Sequence, residues 1–406
     1  MGQTVVLAYS GGLDTSAIVP WLKENYGYDV VCYAANVGQG EGELEGLADK
    51  ARRSGAIDCV IDDLRLDLVK GVIYPTVKAG AVYARQYLLG TAVARPIIAA
   101  GQVALAQRIG AVALAHGCTG KGNDQVRFEL TYMSHAPDLK VIAPWREWAF
   151  RGREDLLDYV AQKGIPVEVS SAKLYSRDRN LWHCSHEGGI LEDPAAAPPS
   201  DMFLLTRDPI DAPDRPADVV IDFEEGEPVS VDGLPLGPVE LIEYLNGVAG
   251  EHGVGRADVI EDRLVGMKSR GVYETPGGTV LRAAHRELEQ FVLDRRTLAL
   301  KDLLAPRYAD ILYDGRWWSE EREALDALVS VTQRRVNGSI GLRLFKGSVT
   351  ILSRRSSDAL YSQELATFEA DDVYNQADAG GFIRLFGLPN KVAARRRVSP
   401  AERVPR

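Results

Sequence analysis

Cysteine is scarce in this chain: four residues in 406 (Cys32, Cys59, Cys118, Cys184), with no Cys-x-x-Cys pair among them. That pattern supplies neither a disulfide framework nor paired redox thiols. Cys32, Cys59 and Cys118 sit in or beside apolar runs and read as small buried thiols. No apolar run reaches the ~18 residues that a membrane span needs. No signal peptide is expected ahead of the first strand, so a reduced cytoplasm is the expected compartment. Positive charge is not in excess either, the formal net charge being −10, which argues against a nucleic-acid partner by bulk electrostatics. Repeats and long low-complexity tracts are missing as well. What is there, 46% hydrophobic and 26% charged residues over a length that can hold two cores, is ordinary globular composition. One basic cluster stands out, Lys391, Arg395, Arg396, Arg397, Arg403 and Arg406 against Glu402 alone. It reads as a solvated tail, with a docking arm as the alternative.

Residues 5–16, Val-Val-Leu-Ala-Tyr-Ser-Gly-Gly-Leu-Asp-Thr-Ser, are the most informative stretch. An apolar run gives way to a Ser-Gly-Gly turn, and Asp14, Thr15 and Ser16 stand where a helix can begin. Strand, glycine turn and helix start together present backbone N–H groups to a phosphate. Gly11 and Gly12 allow unusual dihedrals and close approach, and Ser10, Thr15 and Ser16 add hydroxyl donors. No lysine occupies the turn, so it is not a Walker A loop.

Apolar runs at 5–9, 29–35, 58–62 and 111–116 suit strands buried on both faces of a parallel sheet. Helical stretches at about 15–25, 43–54, 65–88 and 92–109 lie between them, with Pro75 and Gly90 expected to start or interrupt the third and fourth. Strand–helix alternation predicts a doubly wound α/β sheet with ligands at the carboxyl ends of the strands. Lys140–Pro144 reads as the next strand and 153–163 as a helix ending at Gly164. Prolines then gather at 194, 198, 199, 209, 213 and 216, an irregular connector. Beyond it the texture is α+β. Hairpins are expected at 218–232, around Glu225-Gly226, and at 338–353, around Lys346-Gly347. Helices are expected at about 238–251, 280–300 and 319–335, then a last amphipathic helix at 371–387 with Val373, Tyr374, Ala377, Phe382 and Leu385 on one face. The expected division is 1–168, the doubly wound α/β domain; 169–365, the α+β domain; and 366–406, a C-terminal helix with the basic tail.

Gly117-Cys118-Thr119-Gly120-Lys121-Gly122-Asn123-Asp124-Gln125-Val126-Arg127 is the second informative cluster. Three glycines interleaved with polar side chains cannot be core. Such a loop offers N–H groups and an ammonium to polyanions, and polar side chains to a small zwitterion. His183 and His186 flank Cys184 in a metal-like way, but no third ligand is evident in sequence and no metal site is assigned. Trp317-Trp318 and the pair Trp145 and Trp148 read as packing anchors. His116, just ahead of the glycine loop, suits a structural hydrogen bond as well as a catalytic one.

The Ser-Gly-Gly-x-Asp-Thr turn resembles the pyrophosphate loop of ATP pyrophosphatases. Within that group, several stretches together resemble the argininosuccinate synthases. These are Ala8–Ser16, Tyr33–Gln39, Tyr87-Leu88-Leu89-Gly90-Thr91, His116–Arg127, Ser176-Arg177-Asp178, Ser185–Glu192 and Val265–Glu274. The resemblance runs over about residues 3–385 in order. It implies that Ala8, Tyr9, Ser10, Gly11, Gly12, Leu13, Asp14, Thr15, Ser16, Ala35 and Gly117 contact ATP. It further implies that Thr119, Asn123 and Asp124 hold L-aspartate, and that Tyr87, Asn123, Arg127, Ser176, Ser185, Glu261 and Tyr273 hold L-citrulline. Ala92 departs from the serine common in the family, and the hydroxyl contact made there is lost. The implied reaction adenylates the citrulline ureido group and condenses it with aspartate, releasing AMP and pyrophosphate, with Mg²⁺ accompanying ATP and a homotetramer as the working form. Asp14, Lys121 and Asp124 are the candidates for direct chemical roles, and no covalent nucleophile is evident. Glutamine-dependent relatives fit poorly, since residue 2 is Gly rather than a terminal Cys nucleophile. A tRNA thiolase would want paired reactive cysteines and a basic surface. A nucleotide sensor would need no second polar loop.

Overall fold

The computed structural model describes residues 2–165, 175–369 and 373–398. Contacts divide the chain into two units, 1–358 and 359–406.

In the first unit, β1 (Thr4–Ala8), β2 (Asp29–Asn36), β3 (Asp58–Asp63), β4 (Ala113–Ala115) and β5 (Lys140–Ile142) form a parallel sheet in the order β3-β2-β1-β4-β5. The runs of β1 and β4 are apolar because both faces are covered: Val5, Val6, Leu7, Ala113, Leu114 and Ala115 are all fully buried. The run at 58–62, also expected to be buried on both faces, forms the edge strand β3, in which no residue is buried. Strand order reverses at β1, which pairs with β2 on one side and β4 on the other. The loops after β1, β2 and β4 therefore converge at one switch point, as the expected doubly wound architecture requires.

The helix expected over 65–88 stops at Lys78. Pro75 has no N–H to give, and the chain relieves the mismatch with a π turn over Val69–Ile73. Residues 79–89 form a strained turn in which Ala84, Arg85 and Leu89 all have positive φ (47°, 70° and 62°). Helix Gly90–Ile109 follows.

Two antiparallel sheets make up the rest of the unit. One contains β6 (Ser176–Arg179), β7 (Cys184–Glu187), β11 (Arg256–Asp262) and β12 (Lys268–Glu274) in the order β11-β12-β7-β6. The other contains β8 (Ala217–Glu224), β9 (Glu227–Val231), β10 (Leu234–Pro235), β13 (Gly338–Phe345) and β14 (Ser348–Arg355), and includes both expected hairpins. The β6–β7 and β11–β12 pairs were not expected as strands. Ser-Arg-Asp-Arg carries no apolar alternation, and its pairing comes from its neighbours. The single helix expected at 280–300 is two, Pro276–Val292 and Arg295–Tyr313. Leu293 is extended, and Asp294 caps the second by accepting from the N–H groups of Arg296 (2.9 Å) and Thr297 (3.3 Å). Trp317 is buried under the Arg322 guanidinium, and Trp145 meets Trp148 edge-on at 5.0 Å, so both pairs pack. All four cysteines are free thiols; Cys32 and Cys184 are buried, Cys59 and Cys118 partly so.

In the second unit the last expected helix starts at Gln376, not 371, with Asn375 capping it; residues 371 and 372 lie outside the described residues. None of its residues is buried. A further helix, Leu388–Val398, takes in the first half of the stretch expected to be a solvated tail; 399–406 lie outside the described residues. No helix among the described residues is long and apolar enough to cross a membrane.

Candidate functional site

A cleft of about 580 Å³ opens at the carboxyl ends of β1, β2 and β4 and is walled on the far side by the sheet of β6, β7, β11 and β12. At its floor β1 ends and the Ser-Gly-Gly turn begins. Gly11 has φ +71°, and a Cβ there would sit 2.5 Å from Leu47 Cδ1, so a side chain would bring backbone strain and displace Leu47 where glycine does neither. Gly12 is the N-cap of helix Leu13–Tyr26 and gives it no side-chain cap. The first helical N–H groups are thus left for an anion. Ala8, Tyr9, Ser10, Gly12, Asp14 and Thr15 line the cleft; Gly11, Leu13 and Ser16 do not. Ser16 is fully buried, its Oγ 3.2 Å from the Tyr9 hydroxyl, and so shapes the turn from behind. Burial pushes the Asp14 carboxyl above its ordinary range, against the pull of Arg153.

Ala35 and Gly117 line the same cleft. A Cβ on Gly117 would meet Thr15 Cγ2 at 3.0 Å, so the glycine loop lies directly against the first helix. His116 is buried; its Nδ1 accepts the Cys118 N–H (3.3 Å), which leaves Nε2–H to donate to Glu129 (3.0 Å). Of the two readings of His116, the geometry supplies the structural one. The loop is then clasped from the opposite wall. Arg263 donates to the Lys121 carbonyl (3.2 Å) and to Glu187 (2.9 Å), while Asn123 Oδ1 accepts the Leu264 N–H (2.9 Å). Thr119, Asn123 and Asp124 face the cleft. Lys121 does not: its side chain is exposed and outside the lining, so its expected electrostatic role has no support in the geometry.

Charge is concentrated where helix Gly90–Ile109 meets β6. Arg95 donates to Asp124 (2.9 Å) and to Asp178 (2.7 Å), and Arg127 donates to the other Asp124 oxygen (3.0 Å) and to the Tyr313 carbonyl (3.0 Å). Burial raises the Asp124 carboxyl, but Arg95 and Arg127 outweigh it and hold the group below its ordinary value. Asp178 ends above its ordinary value, because burial and the neighbouring Asp124 charge exceed the help from Arg95. Beside them Tyr87 stacks on Tyr273 at 4.2 Å, and Tyr273 donates to Glu261. The hydroxyls of Tyr83 and Tyr313 both reach the Asp262 carbonyl at 3.0 Å, fixing the strand that carries Glu261. Ser185 Oγ accepts the Asp178 N–H (3.2 Å). Tyr87, Arg127, Ser176, Ser185, Glu261 and Tyr273 all line the cleft, whereas Ala92 is fully buried in its helix and does not.

Sequence reasoning gave no role to Arg95, Asp178, Glu187, Arg263 or Tyr313. Arg95 could have been found, one helical turn after Thr91; Tyr313 arrives from a distant helix without local signal. The missing third partner of Cys184 and His186 is Glu274: ligand-type atoms of the three lie within 4.8 Å of one another, all buried. Glu274 is nevertheless fully engaged. Its oxygens accept from His186, from the N–H groups of Leu204, Leu205 and Thr206, and from the Thr206 hydroxyl. The triad pins the connector segment to β12.

Comparisons with known proteins match two consecutive stretches of the chain. Residues 4–166 match the family model described as the arginosuccinate synthase N-terminal HUP domain, and residues 175–393 match that of the arginosuccinate synthase C-terminal domain. Argininosuccinate synthase of Roseiflexus sp. (strain RS-1) is 60% identical over 391 residues, 96% of each chain. That of Pelotomaculum thermopropionicum is 60% identical over 390 residues, 96% of this chain and 97% of the relative. The chloroplastic argininosuccinate synthase of Arabidopsis thaliana is 56% identical over 392 residues, 97% of this chain and 79% of the relative.

Proposed function

The chain belongs to the argininosuccinate synthase family, and we propose how its cleft carries out that ligase reaction, the ATP-dependent condensation of L-citrulline with L-aspartate to argininosuccinate, AMP and pyrophosphate. The observation that carries the reading is one continuous cleft. It joins an uncapped helix start behind a Ser-Gly-Gly turn to a pocket of paired guanidinium and carboxylate groups. The first suits a polyphosphate, the second two zwitterionic amino acids.

In this reading Ala8–Ser16, Ala35 and Gly117 form the ATP site. Ser10 and Thr15 hydroxyls and the helix N–H groups take the pyrophosphate, with Gly11, Leu13 and Ser16 supporting from behind. Mg²⁺ fits through Asp14, the carboxylate that faces the cleft from this turn; hard cations of this kind are held by one or two carboxylates plus phosphate and water. It would neutralise phosphate charge. Tyr87, Asn123, Arg127, Ser176, Ser185, Glu261 and Tyr273 hold citrulline, with Arg127 directed at the carboxylate and Glu261 at the ammonium. Thr119, Asn123 and Asp124 hold aspartate. Asp124 already accepts from two arginines, yet a carboxylate has about four lone-pair sites, which leaves room for an ammonium.

The citrulline ureido oxygen attacks the α-phosphorus in line and pyrophosphate leaves into the turn. The aspartate amine then attacks the ureido carbon and AMP departs. Positioning and charge stabilisation carry the rate. We assign 1–168 to ATP binding, 169–365 to the synthetase domain and 366–406 to assembly. Phe382, Ile383, Leu385 and Phe386 are each more than 60% exposed, which suits burial in a homotetramer in the cytoplasm. Pyrophosphate release from ATP is expected only when both citrulline and aspartate are present. A requirement for glutamine or tRNA instead would refute the reading.

A further inference from the structure

The phosphate turn has a deficit. Its residues offer hydroxyls and N–H groups but no cation, and Lys121 of the second loop is exposed outside the cleft. With Mg²⁺ at Asp14 offsetting only part of its charge, a polyphosphate bound there still calls for a cationic side chain from elsewhere. Five arginines line the cleft: Arg95, Arg127, Arg177, Arg179 and Arg263. Arg95, Arg127 and Arg263 are committed to Asp124, Asp178 and Glu187. Arg177 donates to His186 Nδ1 (3.3 Å) and to the Met202 carbonyl (3.2 Å). Arg179 differs from all four. It forms no ion pair among the described residues, and its Nε is buried without a hydrogen-bond partner. A buried guanidinium N–H with no acceptor is costly unless a ligand supplies one.

Arg179 is also held in place. It closes the edge strand β6, and two residues later the Leu181 N–H donates to the Val37 carbonyl at 2.7 Å. Gly38, at φ +86°, lies so close that a Cβ would sit 2.6 Å from Leu181 Cβ and 2.8 Å from its Cα. This contact docks the end of β6 on the loop after β2, and a Cβ on Gly40 of that loop would lie 3.6 Å from Arg179 Nη1. Because β2 neighbours β1, that loop borders the Ser-Gly-Gly turn.

We propose that Arg179 is a phosphate-binding residue, reaching across the cleft to phosphoryl oxygens of the nucleotide and of the departing pyrophosphate. This rests on the adenylating reading above and adds to it the cation that the turn lacks. A planar guanidinium matches two phosphoryl oxygens at once.

The test compares wild type with Arg179→Gln and Arg179→Lys, using ATP, inorganic pyrophosphate and adenosine as probes. Arg179→Gln is expected to raise the ATP KM and the pyrophosphate inhibition constant by about tenfold or more, each tenfold being about 1.4 kcal/mol. Arg179→Lys should recover part of this. KM for citrulline and aspartate, and competition by adenosine, should stay within about twofold on the same scale. An unchanged pyrophosphate constant overturns the proposal, as does an equal loss for adenosine or a shift confined to the amino-acid substrates. If the Gln variant does not fold, the Lys variant decides on the same constant. Direct titration of pyrophosphate needs no turnover, so it judges Arg179 even if wild type fails to couple pyrophosphate release to citrulline and aspartate, a failure that would fall on the underlying reading.

Discussion

Replacing Arg95 by methionine keeps the aliphatic volume and removes the charge that bridges Asp124 and Asp178. The guanidinium side chain is 15% exposed and its two partners 28% each. Breaking a buried pair from one side costs about 3–5 kcal/mol. Arg127 still serves Asp124 and both acids retain some water, which places the loss near the lower end, about 3 kcal/mol. Unfolding entropy of about 2.1 cal/mol/K per residue over the 358 residues of the first unit converts that to a fall in Tm of about 4 °C. The deficit has a pH signature. Asp178 already sits above its ordinary value from burial and the Asp124 charge, and loss of Arg95 raises it further. A carboxyl whose folded value exceeds its unfolded one destabilises above the folded value and is relieved as pH falls through it. Melting followed by circular dichroism should therefore show a larger deficit at pH 8 than at pH 5. Arg95→Met with Asp178→Asn should be more stable at pH 8 than Arg95→Met alone. Equal deficits at the two pH values, or a double variant no better than the sum of the singles, would refute the reasoning.

Arg127→Lys replaces a fork held by Tyr313 and Asp124 with a point charge; citrulline binding should weaken by roughly 1.5–3 kcal/mol, read as a rise in its KM with the ATP KM little changed. Burial pushes His183 down to about 3 from 6.5. The unfolded chain gains this proton near 6.5 and the folded protein only near 3, so stability is lost as pH falls through that window, by about 1.4 kcal/mol per pH unit. Urea melts of wild type and His183→Gln should differ in acid-side slope by that amount. Truncation after Asp371 removes both C-terminal helices and should lower the oligomeric state; light scattering that shows no change would end the assembly proposal.

What the sequence discloses of the fold is what local physics determines. The central parallel strands β1, β2 and β4 were legible because each is a short apolar run buried on both faces, and the Ser-Gly-Gly turn because strand, glycines and hydroxyls adjoin in the chain. Ser176–Arg179 was illegible as a strand: its residues are polar, and pairing with Cys184–Glu187 decides its conformation. The strained turn at 83–89 was misread as helix because nothing in Ala84 or Arg85 announces positive φ. That strain persists because Tyr83 is anchored at Asp262 and Tyr87 at Tyr273 and Thr91. The charged pocket was half legible. Arg127 and Asp124 share one glycine-loop motif, whereas Arg95 and Asp178 are 83 residues apart and meet only in the folded chain.

The pairing pattern in the cleft bears on how substrates enter. Asp124, Asp178 and Glu187 neutralise Arg95, Arg127 and Arg263 within the protein. Two amino acids together bring three carboxylates and two ammonium groups, so under the proposed reading their binding exchanges ionic partners instead of burying new unpaired charge. Exchange keeps the desolvation cost low, because the arginines and acids already face each other in a partly dry site. It also fixes geometry in advance, since Arg127 is tied to the Tyr313 carbonyl and Arg263 to the Lys121 carbonyl before any substrate arrives. The phosphate end follows the opposite rule. Its helix start is uncapped and Arg179 carries an unsatisfied Nε, so under the same reading a bound nucleotide would complete interactions that the protein leaves open. A site preneutralised for zwitterions and underneutralised for a polyanion should therefore lose ATP affinity with added salt more steeply than citrulline affinity.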